Sequence, residues 1–405
     1  MPSLSGLDLP HSALDADALD ICRRLHDAGF ATYLVGGCVR DALLGRSPKD
    51  FDIGTAATPS QVRRLFRNSR LIGRRFRLVH VHIGPKILEV STFRGSGDEE
   101  CEPDEHSADD DGFIRRANVF GRPEEDARSR DFTINGLFYD PAERQVIDHV
   151  GGRADIDRRV LRTIGDPVQR FREDPVRILR AVKFAARLGF SIDERTREAM
   201  ASVSADLAKC PVARVTEELY RIAESGHAST AVALMAERRV LARVMPELAA
   251  AIGEHGPAYF RHLDAMDRTV RAHGGLPREY VLSLLFWPVA ERFLNQESDD
   301  PATALEDWMA PMGSRMHLPV RQRLVFRGLV QLLSRAKRGR RPLRLGVHDR
   351  RLLPGLLTTL RVLRRRDGAT PELYAELRRL AAEQRIPWVP VSALDRQPGG
   401  PDERY

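Results

Sequence analysis

The chain has 405 residues, a formal net charge of +7 and a sequence pI of about 9.5. This length allows roughly two to four domains, and no run of about 18 apolar residues predicts a membrane-spanning helix. The polar start of the chain does not resemble a secretory signal, and the four cysteines show neither close pairing nor metal-ligand spacing. We therefore expect a cytoplasmic protein without a membrane span or a structural zinc site.

Five of the 64 basic residues are lysine and the other 59 are arginine. The planar, multidentate guanidinium of arginine suits phosphate and base-edge recognition. Genomic base composition can favour arginine without any function, so the ratio alone predicts little. The position of the charges along the chain carries more information.

The first predicted element is a helix over residues 12–29, with its apolar residues on one face and a glycine stop. An apolar run at residues 32–35 predicts a buried strand. Gly36 and Gly37 follow this strand, where they permit a sharp bend and close approach of a ligand. The periodicity of residues 39–44 predicts a short helix whose first amides face the glycine turn, which suits an anion.

A pair of carboxylates, Asp50 and Asp52, closes this first motif. We expect both on a strand around Phe51, where residues i and i+2 point to the same face. Two carboxylates on one face repel each other unless a cation lies between them, and hard oxygen ligands suit Mg²⁺. Either the glycine pair or the carboxylate pair alone would be a weak signal, since both are common in proteins without this chemistry.

Further along, Thr58 and Pro59 predict the start of a helix ending near residue 66. Residues 79–83 and 87–94 alternate like strands and are expected to pair through a Gly84-Pro85 turn. Glu89 on the second of these strands is a candidate third carboxylate, or simply an exposed edge residue. Residues 96–112 are acidic and almost free of apolar side chains, which predicts a mobile loop.

The first motif resembles the opening motif of the polymerase-beta-like nucleotidyltransferase superfamily, in its bacterial tRNA-nucleotidyltransferase and poly(A)-polymerase branch. The resemblance implies an α+β fold, with a nucleotidyltransferase head of mixed sheet and flanking helices followed by an all-α neck, body and basic C-terminal region. It also implies template-independent transfer of a nucleoside monophosphate to an RNA 3′-hydroxyl. Asp50 and Asp52 would hold two Mg²⁺ ions, and the triphosphate would lie against Gly36, Gly37 and Arg40. The residues that carry the resemblance are Gly36, Gly37, Arg40, Asp41, Leu43, Leu44, Gly45, Asp50 and Asp52.

Residues 130–137 form a second motif, which resembles the Arg-Arg-Asp-Phe-Thr-Ile-Asn box of this family with Ser129 in the place of the first Arg. The resemblance implies that Arg130 contacts the nucleotide. Asp131 would help to organise the metal site or the ribose, although an Asp here also suits a helix N-cap. Glu89 is plausible as the third carboxylate because that group lies on a neighbouring strand in the superfamily. The choice between Asp131 and Glu89 stays open.

From about residue 166 the pattern becomes almost wholly helical, and residues 171–189 predict one strongly amphipathic helix. Asp174, Arg177 and Arg180 recur at three-residue intervals near one face. An acid cap with a solvated arginine stripe would explain them equally well on the pattern alone. The resemblance of this stretch to the family's Glu-Asp-x-x-Arg box implies that these residues read the base of the incoming nucleotide and so select ATP.

Residues 315–366 hold sixteen Arg or Lys against one acid. Such one-sided charge favours binding of a polyanion over a mixed, solvated helix face. We therefore predict RNA contact here, and Trp287 upstream is interpreted as a core residue rather than an RNA-stacking ring. The predicted RNA-binding side chains are Arg335, Lys337, Arg338, Arg340 and Arg341.

The predicted division of the chain follows these motifs. A nucleotidyltransferase head precedes a neck that recognises the base, a helical body, a basic RNA-binding region and a disordered tail. The corresponding ranges are 1–150, 151–211, 212–310, 311–390 and 391–405.

Two products compete within the branch, a poly(A) tail and the CCA end of tRNA. Residues 73–78 resemble an arginine-rich element typical of the poly(A)-forming members, so we predict a polynucleotide adenylyltransferase that uses ATP and releases pyrophosphate. Its partners would be the RNA 3′ ends of mRNA and small RNA, and tRNA is a further candidate. RNA-degradation proteins would be partners as well, so that the protein promotes RNA decay. The alternatives are a CCA-adding or A-adding tRNA nucleotidyltransferase and, with less support, an inactive RNA-binding protein.

Overall fold

The computed structural model describes residues 9–10, 13–73, 78–95, 121–295, 300–338, 345–384 and 386, without the side chain of Arg338. Several sequence predictions lie outside these residues: the loop at 96–112, the arginine-rich element at 74–77, the RNA-binding residues Arg340 and Arg341, and the tail at 391–405. The described chain forms two compact units. The first contains residues up to Arg170 together with Ser191–Thr196, and the second contains Phe171–Phe190 and the chain from Arg197 onward.

The first unit is built on a seven-stranded mixed sheet with the strand order β3-β4-β5-β2-β1-β6-β7. Only β2 and β5 run parallel in it, and the other neighbours are antiparallel. A separate two-stranded sheet pairs β8 with β9. The strands are β1 (Thr32–Val35), β2 (Asp52–Thr55), β3 (Ser69–Ile72), β4 (Leu78–Ile83), β5 (Lys86–Thr92), β6 (Leu137–Asp140), β7 (Gln145–Asp148), β8 (Val160–Leu161) and β9 (Ser191–Ile192).

Helices flank this sheet, and α3 starts at its predicted cap whereas α1 starts later than predicted. Asp15 accepts hydrogen bonds from two amides at the start of α1, so this helix begins three or four residues later than predicted. Thr58 caps α3 in a capping box with Gln61. The helices of this unit are α1 (Ala16–Asp27), α2 (Gly37–Leu43), α3 (Pro59–Leu65), α4 (Pro123–Ser129) and α5 (Gly152–Arg158).

The core beside the first motif is apolar and partly aromatic. Val35 at the end of β1, Phe93, Ala127 and Phe138 are all buried and in mutual contact. The rings of Tyr33 and Phe93 stack with centroids 5.9 Å apart. This packing holds the end of β1, and with it the glycine turn, against the neighbouring strands.

The second unit consists of helices, as the pattern predicts, and the boundary between the units passes within α6 and α8. Trp287 is fully buried and its ring lies 6.2 Å from that of Phe326, which confirms it as a core residue. The helices are α6 (Pro167–Glu173), α7 (Arg177–Leu188), α8 (Glu194–Val203), α9 (Val212–Glu224), α10 (Ala228–Glu237), α11 (Val240–Val244), α12 (Pro246–His255), α13 (Pro257–His273), α14 (Arg278–Leu285), α15 (Trp287–Asn295), α16 (Pro301–Arg315), α17 (Val320–Arg338), α18 (Val347–Asp367) and α19 (Pro371–Glu383).

The prediction of one continuous helix over 171–189 is wrong. The chain breaks at Asp174-Pro175 between α6 and α7. Pro175 has no amide hydrogen and disfavours helical geometry in the residue before it, so the helix ends there. Asp174 therefore lies in the break instead of on a helix face.

The α+β fold class is confirmed, with a mixed-sheet unit first and helices after it. The first compact unit continues past residue 150, where the head was predicted to end. The finer division of the helical part stays a prediction. Among the described helices, none has both the length and the apolar character needed to cross a membrane.

Candidate active site

The glycine turn after β1 has a conformation and a neighbourhood that favour glycine. Gly36 has φ 76° and ψ −122°, outside the region that L side chains readily adopt. A Cβ atom at Gly36 would lie 2.7 Å from Nη1 of Arg130. The first glycine of the pair therefore leaves room for the guanidinium of the second motif.

The first and second motifs are joined by buried hydrogen bonds. Arg40 Nη1 donates to Asn135 Oδ1 at 2.5 Å, and Asn135 Nδ2 donates to Asp131 Oδ1 at 3.0 Å. Asp41 accepts from Arg40 Nε at 2.8 Å. Arg40 is only 3% exposed, so its position suits ordering of the two motifs. Contact of Arg40 with a triphosphate stays a prediction.

Arg130 is held by a carboxylate that the sequence analysis missed. Asp126 Oδ2 accepts from Arg130 Nε at 3.0 Å and from Nη2 at 2.8 Å. The Arg130 side chain is 18% exposed and that of Asp126 is 6% exposed. The signal that could have found this pair is the i, i+4 spacing of an acid and an arginine at the end of a short helix.

Arg170 fixes the backbone of the same motif. Its Nη2 donates to the carbonyl oxygens of Ser129 and Arg130, both at 2.6 Å. Nothing in the sequence pattern pointed to Arg170, because a side chain to backbone contact over forty residues leaves no local periodicity. Arg130 is thus held through its side chain by Asp126 and through its backbone by Arg170.

The structure brings two of the predicted metal-ligating carboxylates together. Asp52 is the first residue of β2, and Glu89 is its in-register partner on the parallel strand β5. In-register residues of neighbouring strands point to the same face. Asp50 precedes the strand instead of lying on it, so the predicted two-residue alternation does not hold there.

The electrostatics of Asp52 reflect this arrangement. Asp52 is accessible to solvent, yet partial loss of hydration raises its pKa, and the carboxylates of Glu89 and Asp50 raise it further. The guanidinium of Arg130 acts in the opposite direction and lowers the pKa. Carboxylates that repel one another at an accessible strand end are a donor set that fits a divalent cation.

Asp131 has a different environment from Glu89. Asp131 is 8% exposed and its Oδ1 accepts from the Phe132 amide at 2.8 Å as well as from Asn135. Glu89 is 52% exposed, and its Oε1 lies 3.4 Å from His80 Nε2. Within the described residues there is no cluster of three or more His, Cys, Asp or Glu side chains with metal-binding geometry. The positions favour Glu89 as the neighbour of Asp52 and a positioning role for Asp131.

In the second unit, the predicted base-reading residues lie around the break before α7. Asp174 Oδ2 accepts from Arg214 Nη2 at 2.8 Å, whereas its buried Oδ1 has no hydrogen-bond partner among the described residues. Arg177 Nη1 donates to Glu173 Oε2 at 3.1 Å. The Arg180 guanidinium lies 5.4 Å from the ring centroid of Phe184. Among these three predicted base-reading residues, Asp174 is therefore the one with a buried oxygen that can accept a hydrogen bond from a ligand.

The predicted RNA-binding segment carries less free charge than its composition indicates. Arg335 donates to Asp349 at 2.7 Å, and Lys337 is exposed. The side chains of Arg338, Arg340 and Arg341 lie outside the described residues. Other arginines of residues 315–366 pair with acids that are distant in sequence: Arg315 with Glu247, Arg321 with Glu279, Arg327 with Glu306 and Arg366 with Glu291.

Comparison with known protein families gives two matches. Residues 32–162 match the family described as the poly A polymerase head domain. Residues 189–252 match the family described as the probable RNA and SrmB-binding site of polymerase A. The first match contains the glycine turn, the carboxylates and the second motif.

Individual relatives and a solved structure agree with these matches. A poly(A) polymerase I from Salmonella typhi is 38% identical over 353 residues, which cover 83% of this chain and 76% of the relative. A CCA-adding enzyme from Geobacillus kaustophilus is 38% identical over 237 residues, covering 58% of this chain and 55% of the relative. The crystal structure of the Bacillus stearothermophilus CCA-adding enzyme in complex with CTP has a TM-score of 0.68 at 28% identity, covering 90% of this chain and 82% of that one.

The match to the Salmonella protein extends over most of both chains at an identity at which fold and chemistry are shared. The glycine turn, the Asp52–Glu89 pair and the Asp126–Arg130 pair all lie inside the matched head domain. The chain belongs to the bacterial poly(A) polymerase I family of nucleotidyltransferases, to which the CCA-adding enzymes are related.

Proposed function

We propose that the protein is a template-independent poly(A) polymerase, which transfers AMP from ATP to the 3′-hydroxyl of RNA and releases pyrophosphate. One observation carries the choice of product. At the same 38% identity, the similarity covers 83% of this chain for a poly(A) polymerase I and 58% for a CCA-adding enzyme. The resemblance of residues 73–78 to the poly(A)-forming members supports the same choice.

In this proposal Asp52 and Glu89, with Asp50 beside them, hold Mg²⁺. Their accessible, mutually repelling carboxylates are hard oxygen donors on one face of the sheet. Two bound ions would lower the pKa of the attacking hydroxyl and offset the charge of the triphosphate. Without a cation, loss of hydration and the neighbouring carboxylates raise the pKa of Asp52, as expected for a site that accepts positive charge.

The protein's own groups would position the nucleotide. Arg130 is pre-oriented by Asp126, so it can donate to a phosphate or ribose oxygen at little entropic cost. The glycine turn at Gly36 and Gly37 gives the triphosphate close access to the backbone. The hydrogen bonds from Arg40 through Asn135 to Asp131 hold the two motifs in register. Asp131 therefore acts as a positioning residue in this proposal.

Base selection would lie with Asp174, Arg177 and Arg180 in the second unit. The buried Oδ1 of Asp174 can accept a hydrogen bond from the exocyclic amino group of adenine. Arginine donors can approach the ring nitrogens. A buried carboxylate oxygen to which no described residue donates is costly unless a ligand donates to it, which supports this assignment.

RNA 3′ ends would be the acceptor, and Arg335, Lys337, Arg338, Arg340 and Arg341 would contribute contacts to it. We place the activity in the cytoplasm, where tails on mRNA and small RNA, and in some cases tRNA, would promote RNA decay. RNA-degradation proteins are the corresponding partners. The likeness to a structure solved with CTP favours a CCA-adding tRNA nucleotidyltransferase as the second candidate.

The test is a product assay on two acceptors. Purified protein with Mg²⁺ is given ATP alone, or ATP with CTP, on a 3′-truncated tRNA and on an unrelated RNA. Long A tracts on both acceptors support the proposal, whereas addition that stops at C-C-A on tRNA establishes the second candidate. Asp52→Asn is the control variant, and full incorporation by this variant would exclude the proposed metal site. No incorporation by the wild-type protein on either acceptor would favour an inactive RNA-binding protein.

A further inference from the structure

Two adjoining surface cavities lie among the last helices of the second unit. They have volumes of about 470 and 460 Å³ and share Arg364 and Pro371 in their walls. Neither wall contains an Asp or a Glu among the described residues. The arginines that line them are Arg361, Arg364, Arg365, Arg378 and Arg379.

Three of these arginines differ from the acid-paired arginines of the C-terminal region. Arg321 and Arg327, for example, donate to carboxylates at 2.9 and 2.7 Å. Arg364, Arg378 and Arg379 are exposed and make no ion pair with any described acid. The cavity walls therefore bring together three arginines that no described acid neutralises, whereas several arginines elsewhere in the basic segment are paired.

The environment of Arg365 is energetically unfavourable for its positive charge. Its Nη1 is buried without a hydrogen-bond partner among the described residues. Burial lowers the pKa of Arg365, and the neighbouring positive charges of Arg361 and Arg268 lower it further. The neighbouring Asp367 does not neutralise the charge of Arg365, because it is paired with Arg366. A bound anion would satisfy the orphan donor and offset the repulsion.

A histidine ring and a tyrosine side chain hold two of the arginines in place. Arg361 Nη1 and Nη2 donate to His273 Nε2 at 2.5 Å and to the Tyr374 hydroxyl at 2.9 Å. The Arg364 guanidinium lies 4.6 Å from the centroid of the Tyr374 ring. The guanidinium groups of Arg361 and Arg364 are thus oriented in advance, which lowers the entropic cost of binding a ligand.

We propose that this arginine double cavity, formed by α13, α18 and α19, binds phosphate groups of the RNA backbone. The proposal rests on RNA being the acceptor, as proposed above, and adds a contact site outside residues 335–341. Guanidinium forks match phosphate oxygens, and two cavities with a common wall suit a chain of successive phosphates better than one small anion. The sequence analysis missed Arg378 and Arg379 because they follow the basic segment on a helix of mixed charge.

The test compares RNA affinity of matched variants of the full-length protein. Binding of a short fluorescein-labelled oligoadenylate is measured by anisotropy, without ATP, from about 50 to about 200 mM salt. Arg364→Gln with Arg378→Gln should raise the Kd about 10-fold and make the salt dependence of log K shallower by about 1.4, as for two lost contacts. Both side chains are exposed and without an acid partner, so the variant should melt like the wild type.

The control is Arg321→Gln with Arg292→Gln, which removes the same net charge from residues already paired with Glu279 and Glu254. It should leave the Kd within about twofold and the salt dependence unchanged. An equal loss of affinity in both variants would mean that net charge alone matters and would overturn the proposal. Affinity of the cavity variant equal to the wild type would overturn it too.

A competition arm separates RNA from a free phosphate source. Pyrophosphate is titrated into both proteins while the melting temperature is followed. If pyrophosphate stabilises the wild type but not the cavity variant, and RNA affinity is the same in both, the cavity binds a free phosphate and the RNA assignment is wrong. Polymerisation is measured separately. If the cavity variant binds RNA more weakly but the wild type does not incorporate AMP, only the proposed function is refuted. If the wild type incorporates AMP and the cavity variant binds RNA as tightly as the wild type, only this inference is refuted.

Discussion

The contact between Asp126 and Arg130 gives the most direct test of how the site is organised. Asp126→Asn keeps the shape of the side chain but removes the charge that accepts from Nε and Nη2 of Arg130. Each hydrogen bond to a charged group contributes about 1.5 kcal/mol, so the two together hold Arg130 with about 3 kcal/mol. The guanidinium is 18% exposed, so water replaces these contacts only in part.

If Arg130 contacts the nucleotide, losing its orientation should lower kcat/KM for ATP by about 100-fold, the equivalent of about 3 kcal/mol. The unfolding free energy should fall by a similar or smaller amount. AMP incorporation is measured under initial-rate conditions well below the melting temperature, with folding checked by circular dichroism. Glu124→Gln on the same helix is the control, because it makes the same charge change without touching Arg130.

The result that would refute this reasoning is a value of kcat/KM for Asp126→Asn within about twofold of the control, with a lowered melting temperature. Asp126 would then stabilise the fold without positioning a nucleotide-binding group. A loss confined to KM for RNA, with KM for ATP unchanged, would place Arg130 at the acceptor and would also contradict the assignment.

Three further predictions concern single residues. Burial lowers the pKa of His262 to about 4, so the stability that its neutral form provides should be lost as the pH falls from 6.5 towards 4. Urea titrations should show a loss of about 3 kcal/mol in unfolding free energy over this range. His262→Gln should flatten this pH dependence, and an unchanged pH dependence would contradict the prediction. Gly36→Ala should lower AMP incorporation, because its Cβ would lie 2.7 Å from Nη1 of Arg130 and displace that guanidinium. Gly45→Ala, with a similar positive φ but nothing within 4 Å, should cost about 1 kcal/mol and retain activity; equal activity losses would exclude the steric explanation. Glu218→Ala should lower the unfolding free energy by about 3 kcal/mol, because it leaves the Lys183 ammonium, whose side chain is 12% exposed, without its partner at 2.5 Å. A melting temperature equal to the wild type would count against this.

Local signals predicted the elements around the site well. The apolar run before Gly36, the cap at Thr58 and the turn at Gly84 act over a few residues, and the structure has β1, α3 and the β4–β5 hairpin where these signals place them. Pro175 was also a local signal, yet the amphipathic periodicity on both sides of it dominated the interpretation. The chain breaks there because a missing amide hydrogen outweighs a favourable apolar face.

The contacts that organise the site were less accessible from sequence. Arg170 donates to a backbone carbonyl about forty residues earlier in the chain. Arg40 and Asn135, which join the two motifs, are 95 residues apart. Such contacts depend on how the strands assemble and leave no spacing to detect. The carboxylates are an intermediate case, because Asp52 and Glu89 become neighbours only through the parallel pairing of β2 with β5.

The basic segment shows why counting charged residues along the sequence is insufficient to predict which of them bind RNA. The sequence predicted an unbroken polyanion-binding segment over 315–366, since only one acid lies within it. In the fold, acids from α12, α14, α15 and α16 neutralise several of those arginines, including Arg315 and Arg366. An ion pair already formed offers little to a phosphate, because the acid must first be displaced. Affinity for RNA should therefore follow the arginines that the fold leaves without an acid, and these include Arg364, Arg378 and Arg379 of the arginine double cavity.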